Sequence, residues 1–414
     1  MTLSPSNMKI LSTGVIVAVI IASMGCVIWY DETMNDSEGS TSVYNILARV
    51  NTEGSGIYIY SDILDDPDSN TPSEFTRDGT YFFTVEEDGS YSVSTDNAAA
   101  WAGLVVGTPG STSIQHVQLQ SLVEEMGLTF TLYEKSTYDS ASTSNVYYVN
   151  TVSSYEKVED SDPDLGLGII WEPQYSYIIS NVSGYKELGL TNNFFPGHTC
   201  CVLAGYTSYV STHSDVTIRF LMAYIEAVNW INTALSDTDS SDYDALVGYA
   251  SSLTKMDEAV VEDALANITY LYGDSLDDDT YDLHQLKKDV SDIVQSNKSS
   301  LMNSMSDLGF SNSLQFANRL VDDSYLIQAT EGVSVGNSSA TITVACITGD
   351  IHQIALTVAQ EQGYFDEYNL TVNTNPATNG AGVAVALQNG SAQFGFLGAP
   401  PATITAVNSE LITA

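Results

Sequence analysis

Ile342-Thr343-Val344-Ala345-Cys346-Ile347-Thr348-Gly349-Asp350-Ile351-His352-Gln353 opens the last segment of the chain, Thr341 to Ala414, and decides the fold class. Ile342 to Ile347 reads as a strand. Thr348-Gly349-Asp350 is a turn, and a helical pattern runs from Ile351 to Gln362, where Gly363 stops it. A short strand, Leu370-Thr371-Val372-Asn373, precedes the turn Asn379-Gly380 and a short helix to Gln388. A third strand, Ala392 to Leu397, leads through Gly398-Ala399-Pro400-Pro401 into a last helix. Alternating strands and helices predict an α/β fold, a parallel sheet with helices on its faces. Ligands of such sheets sit beyond the carboxyl ends of strands, against helix N-termini. Both Gly349-Asp350-Ile351-His352-Gln353 and Gly398-Ala399-Pro400-Pro401 occupy that position.

The 414 residues allow one large or two medium domains, and 43% apolar residues supply a substantial core. Against 52 acidic residues stand 12 basic ones, a net charge of −40. Such a surface argues against nucleic acid and anionic lipid as partners. It suits high salt or an acidic cell exterior. The last Lys or Arg is Arg319, so the segment Thr341 to Ala414 carries neither.

Ile10 to Tyr30 is an almost unbroken apolar run, close to the roughly 20 residues that cross a bilayer as a helix. Lys9 before it and Trp29, Tyr30, Asp31 and Glu32 after it predict the N-terminus inside and the remainder outside. Three readings stand: an uncleaved anchor, a cleaved signal peptide, or a lipoprotein processed at Cys26 within Ser23-Met24-Gly25-Cys26. All three export the chain. Asp31 onward reads as a flexible tether.

Tyr44 to Val50 is a strand candidate that ends in Asn51-Thr52-Glu53-Gly54-Ser55-Gly56, a turn-rich loop. Tyr81 to Val85 and Tyr91 to Ser94 flank Glu87-Asp88-Gly89 as a surface hairpin. Leu104-Val105-Val106 is a buried-type strand. Gly107 to Ser113 follows it and enters a helix from Ile114 to Met126 closed by Gly127. Gly and hydroxyl residues there either leave N–H groups free for a ligand or form an ordinary Ser/Thr cap. Within Gly168 to Tyr175, Gly168-Ile169-Ile170 is a strand followed at once by Trp171 and Glu172, which either line a cleft or serve as a core Trp and a helix-start Glu.

Cys200 and Cys201 are adjacent and poorly placed to bond to each other; with Cys346 they read as apolar cysteines, with a bridge from Cys346 open if the strands are neighbours. Asp215 to Leu235 is amphipathic. Thr254-Lys255-Met256-Asp257 resembles a capping box for a helix over Glu258 to Tyr270. Helices Leu283 to Val294 and Leu314 to Val321 follow, and Ala329 to Ala340 suits a linker. No His-Glu-x-x-His, Cys-x-x-Cys, P-loop or Gly-x-Ser-x-Gly occurs, and no catalytic constellation or cofactor motif is found. His352 with Glu172, His116 or His198 is a metal reading that the spacing does not support.

"GDIHQIAL" (Gly349–Leu356), "EQGYF" (Glu361–Phe365) and "ALQNGSAQFGFLGAPPA" (Ala386–Ala402) resemble the start of solute-binding proteins of ATP-driven importers, in the nitrate, sulfonate/taurine and thiamine-precursor family. "GTPGSTSIQHVQLQ" (Gly107–Gln120), "IIWEPQYS" (Ile169–Ser176) and "FPGHTCCVLAG" (Phe195–Gly205) resemble its middle motifs. The resemblance implies a two-lobe periplasmic-binding-protein-like fold, type II, with the motif order rotated. Residues 1–30 are then an anchor or signal segment and 31–43 a tether. Residues 44–328 hold the second lobe, hinge and C-terminal helices, 329–340 a linker, and 341–414 half of the first lobe. Joining Ala414 to Tyr44 would restore the family order, which points to circular permutation. A lobe swapped between two chains and an incomplete tandem remain alternatives.

The resemblance further implies a non-enzymatic, membrane-anchored, extracytoplasmic component that captures a small-molecule ligand and hands it to an ABC permease, as a monomer or a lobe-swapped dimer. Gly349, Asp350, His352 and Gln353 would form one wall of its site and Gly398, Ala399 and Pro400 another. Ser111, Thr112 and Ser113 would present a helix N-terminus, and Trp171 and Glu172 would stack on or orient the ligand. The carboxylates and the scarcity of cations favour a neutral, aromatic or zwitterionic solute over a bare oxyanion. A surface structural or adhesive protein is the competing class, suited by the sequons at Asn181, Asn267, Asn297, Asn337, Asn369 and Asn389.

Overall fold

The computed structural model describes residues 43–159, 165–275, 282–297 and 301–409. The anchor, the tether up to residue 42 and Cys26 lie outside the described residues. Within them, no helix is long and apolar enough to cross a membrane.

Twelve strands build two six-stranded sheets. In chain order they are β1 (Tyr44–Glu53), β2 (Ser55–Tyr60), β3 (Val105–Gly107), β4 (Thr129–Leu132), β5 (Asn145–Val149), β6 (Leu167–Trp171), β7 (Tyr185–Leu190), β8 (Thr199–Tyr206), β9 (Ile268–Tyr270), β10 (Ala340–Ile347), β11 (Leu370–Ala377) and β12 (Phe394–Gly398). The first sheet has the order β9-β1-β8-β12-β10-β11, the second β7-β2-β6-β3-β5-β4. In the first, β10 runs parallel to β11 and β12, while β8 is antiparallel to both β12 and β1. In the second, β4, β5, β3 and β6 are parallel, and β2 is antiparallel to β6 and β7.

The C-terminal segment therefore completes the sheet that the first described strand begins. Its apolar residues enter one core with the long helix Ser214–Ser236. Phe220 of that helix stacks on Phe394 of β12 at 4.4 Å. Tyr224, one turn on, donates its hydroxyl to the carbonyls of Arg49 and Leu271. The second sheet is covered on both faces. Ile57, Ile59 and Ile169 join one core cluster and Tyr58 and Ile170 the other, as the two-residue strand period requires.

Asn51 to Gly56, expected as a turn-rich loop, is instead the point where the chain passes from one sheet to the other. β1 ends at Glu53, Gly54 turns at φ +81°, and β2 starts at Ser55. A side chain at position 54 would meet His352 Nε2 at 2.3 Å, so glycine is required both by the left-handed backbone and by space. The return passage runs from β7 through Thr191–Phe194 to β8.

Two expectations shift. The helix expected over Glu258 to Tyr270 ends at Ala266, because Ile268–Tyr270 pairs with β1 as an edge strand. Asp257 is its N-cap residue but makes no side-chain capping bond, and Lys255 is left-handed at φ 64°. Cys346 on β10 is separated from Cys200 on β8 by β12, so these strands are not neighbours, and Cys200, Cys201 and Cys346 are all free thiols.

Candidate ligand-binding site at the lobe junction

The junction is built on one backbone acceptor. The carbonyl of Gly54 receives the backbone N–H of Glu172 at 2.9 Å and lies 2.9 Å from His352 Nε2. His352 is held by the turn after β10. Asp350 caps that turn, accepting from the His352 backbone N–H at 3.0 Å, and its carboxylate lies 2.7 Å from His352 Nδ1. Gln353 donates to the other Asp350 oxygen at 2.8 Å and accepts from the Ile347 N–H at 2.9 Å, so the turn is tied back to its strand. Burial opposes a charge on His352. The Asp350 carboxylate, the negative field of Cys200 and the hydrogen bonds to Asp350 and Gly54 outweigh burial and hold its pKa up at about 9.

Glu172 ends β6 and is fully buried. Its carboxylate accepts from the Ser176 N–H at 3.1 Å, the Ser176 hydroxyl at 2.9 Å and Asn267 Nδ2 at 2.7 Å. Burial raises its pKa, while the Asn267 and Ser176 bonds and the charge of His352 pull it down. Asn267 precedes β9, so this bond joins the two sheets' lobes directly. Ser55, the first residue after the crossover, accepts from Gln115 at 2.9 Å, and its carbonyl accepts from Thr191 at 3.0 Å.

The structure gathers Asp350, His352, Gln353 and Glu172 into this buried network. Trp171 beside them is half-buried, as is Gly349, which turns at φ +71°. Gly398 caps the helix Ala399–Asn408, whose first residues, Ala399 and Pro400, are buried. Ser113 caps the helix Ile114–Glu125 by accepting from the His116 N–H at 3.1 Å, whereas Ser111 and Thr112 before it are exposed. One turn in, His116 is buried against Thr108, 3.0 Å from its hydroxyl, and burial pushes its pKa down to about 4.

Gly54, Ser55, Gln115 and Asn267 had no functional reading in the sequence. Asn267 was legible only as a sequon, and its amide is engaged with Glu172. The signal that could have found Gly54 is its place between two runs of strand-forming residues. Among the described residues no group of three or more His, Cys, Asp and Glu is arranged to hold a metal ion. Two open surface recesses, about 540 Å³ beside Tyr81 and Asp96 and about 560 Å³ between Tyr249 and Thr357, contain none of the site residues named above.

No protein-family model and no curated protein matches the chain. Among solved structures, it aligns with the alkanesulfonate-binding protein SsuA from Xanthomonas axonopodis pv. citri bound to MOPS. That alignment covers 63% of this chain and 71% of that one, with a TM-score of 0.37 and 11% sequence identity.

Proposed function

We propose that the chain is the extracytoplasmic solute-binding component of an ABC-type importer, held at the membrane by its N-terminal segment, which captures a small organic solute between two α/β lobes. The observation that carries this reading is the junction. Two sheets, each with its own core, are joined through the passage at Gly54 and the return from β7 to β8, with β1 antiparallel to β8 and β2 antiparallel to β7. Paired crossings of this kind are suited to hinge closure, in which ligand binding is converted into a conformational signal. A helix from each lobe, Ile114–Glu125 and Ala399–Asn408, begins just beyond the carboxyl end of a strand, and the two helices touch. The wall residues are those of the resemblance: Gly349, Asp350, His352, Gln353, Gly398, Ala399 and Pro400 from one lobe, with Ser111, Thr112, Ser113, Trp171 and Glu172 from the other.

The same reading takes the chain as a circular permutation. Support comes from β1, which lies in one sheet with the C-terminal strands, and from Tyr44 at its start, whose hydroxyl donates to the Ala402 carbonyl at 2.6 Å. Native mass spectrometry of the full chain, purified gently from its own host, tests the proposal. A monomer carrying one small molecule is expected. A ligand-bearing dimer would replace permutation by swapping, and an empty species would argue against solute capture.

A further inference from the structure

The helix Ile114–Glu125 belongs to the second lobe, where Leu119, Leu122 and Val123 enter its core. Its other side faces the first lobe. Ile114 packs against the core of the first sheet. Gln115 reaches Ser55 at the crossover. The helix also touches Ala399–Asn408 from the first lobe. Gln118 stands one turn after Ile114 and three residues after Gln115, on that same side. It is 5% exposed, and both ends of its amide, Nε2 and Oε1, are buried with no hydrogen-bond partner. On the opposing helix, Thr403 is fully buried and its hydroxyl is also without a partner. Buried amides are ordinarily answered, because an unanswered one forfeits its hydration. A helix that needed only packing here would carry Leu or Met.

Resting on the solute-binding reading, we infer that Gln118 is the residue that reads the solute, through both ends of its amide, and that the solute is a neutral compound bearing a hydrogen-bond donor beside an acceptor, of the carboxamide or ureide class. An ionised oxyanion only accepts. It would answer Nε2 and leave Oε1 facing negative charge. The two buried guanidiniums are already held by carbonyls and carboxylates, Arg49 keeping only its Nε–H without a partner. Arg49 donates to the carbonyls of Gly197 and Asp274 and lies within ion-pair distance of Asp274 and Asp289. Arg219 donates to Asp215 and to the Tyr368 carbonyl. A neutral donor–acceptor edge satisfies both atoms of Gln118 in one planar contact, and closing a site on such a pair gives strong discrimination against compounds lacking either group.

The test is thermal unfolding of the full chain in mild detergent, with nicotinamide, urea and hydantoin as one set of probes and nitrate and methanesulfonate as the other. The expected result is a melting shift with at least one compound of the first set and none with the second. Gln118→Leu should melt higher than the parent without ligand, since the unanswered amide is gone, and should bind that compound at least tenfold more weakly. Gln118→Met, unbranched, gives the same readout if leucine disturbs the fold. Equal binding by parent and variant, or a shift with the oxyanions alone, overturns the inference while leaving solute capture standing. No shift with either set counts against solute capture itself, and the inference falls with it.

Discussion

His352 Nε2 lies 2.9 Å from the carbonyl oxygen of Gly54, a residue 298 positions away in sequence, and this contact ties the C-terminal segment to the crossover between the two sheets. Gly54→Ala should disrupt it. The left-handed backbone alone costs a non-glycine residue about 1–2 kcal/mol, and the new methyl would overlap the His352 ring. Urea unfolding of the variant should show a lower midpoint by at least that loss of stability. An unchanged midpoint would mean the crossover tolerates a side chain.

His352 also sets a pH dependence. Its folded pKa, about 9, lies above the ordinary 6.5. The folded state therefore holds a proton that the unfolded chain releases. Its contribution is fully present below about pH 6.5 and is lost as pH rises through about 9. His352→Gln should flatten the alkaline fall in unfolding free energy across that window. Parallel profiles for parent and variant would exclude His352 as its source.

His116 works in the opposite direction. Burial holds it neutral, with a pKa lowered to about 4. Its contribution is present above about pH 6.5 and is lost as pH falls toward 4. His116→Asn should remove part of the acid-side loss, and the difference between the two profiles isolates this group from the carboxylates that titrate nearby.

Asn267 bridges the lobes through a hydrogen bond to the Glu172 carboxylate. Asn267→Ala should cost about 1.5–3 kcal/mol, the range for a hydrogen bond to a charged group. Asn267→Asp should cost more, because it sets two carboxylates against each other. Chemical denaturation of both variants checks the order, and an aspartate as stable as the parent would show that this contact carries no weight.

Phe394 tests whether the C-terminal segment is part of the core. It is fully buried and packs on Phe220. Phe394→Ala should cost about 3–5 kcal/mol. A loss of no more than about 0.5 kcal/mol, the size of a surface change, would mean that β12 does not pack against the long helix.

The alternation of Ile342 to Asn408 was legible because each strand is a short apolar run and each helix has a turn residue at its border: Asp350 caps, Gly363 stops, Gly398 restarts. The composite first sheet was not legible from local pattern, since β1 reaches the C-terminal strands only through β8, which pairs with β1 on one side and β12 on the other. The junction was half legible. Asp350, His352 and Glu172 stand where ligand loops are expected. That Gly54 would gather them depends on two segments far apart in sequence, which no local spacing encodes. Gln118 was hidden for a different reason: a glutamine on a helix reads as surface until the opposing lobe covers it.

Small-angle scattering tests lobe closure most directly. Residues 43–414 would be measured as purified and again after bound solute is stripped by reversible unfolding in urea. The radius of gyration should rise on stripping and fall again when the stripped eluate is returned. Superimposable curves before and after would contradict a two-lobe capture mechanism hinged at Gly54.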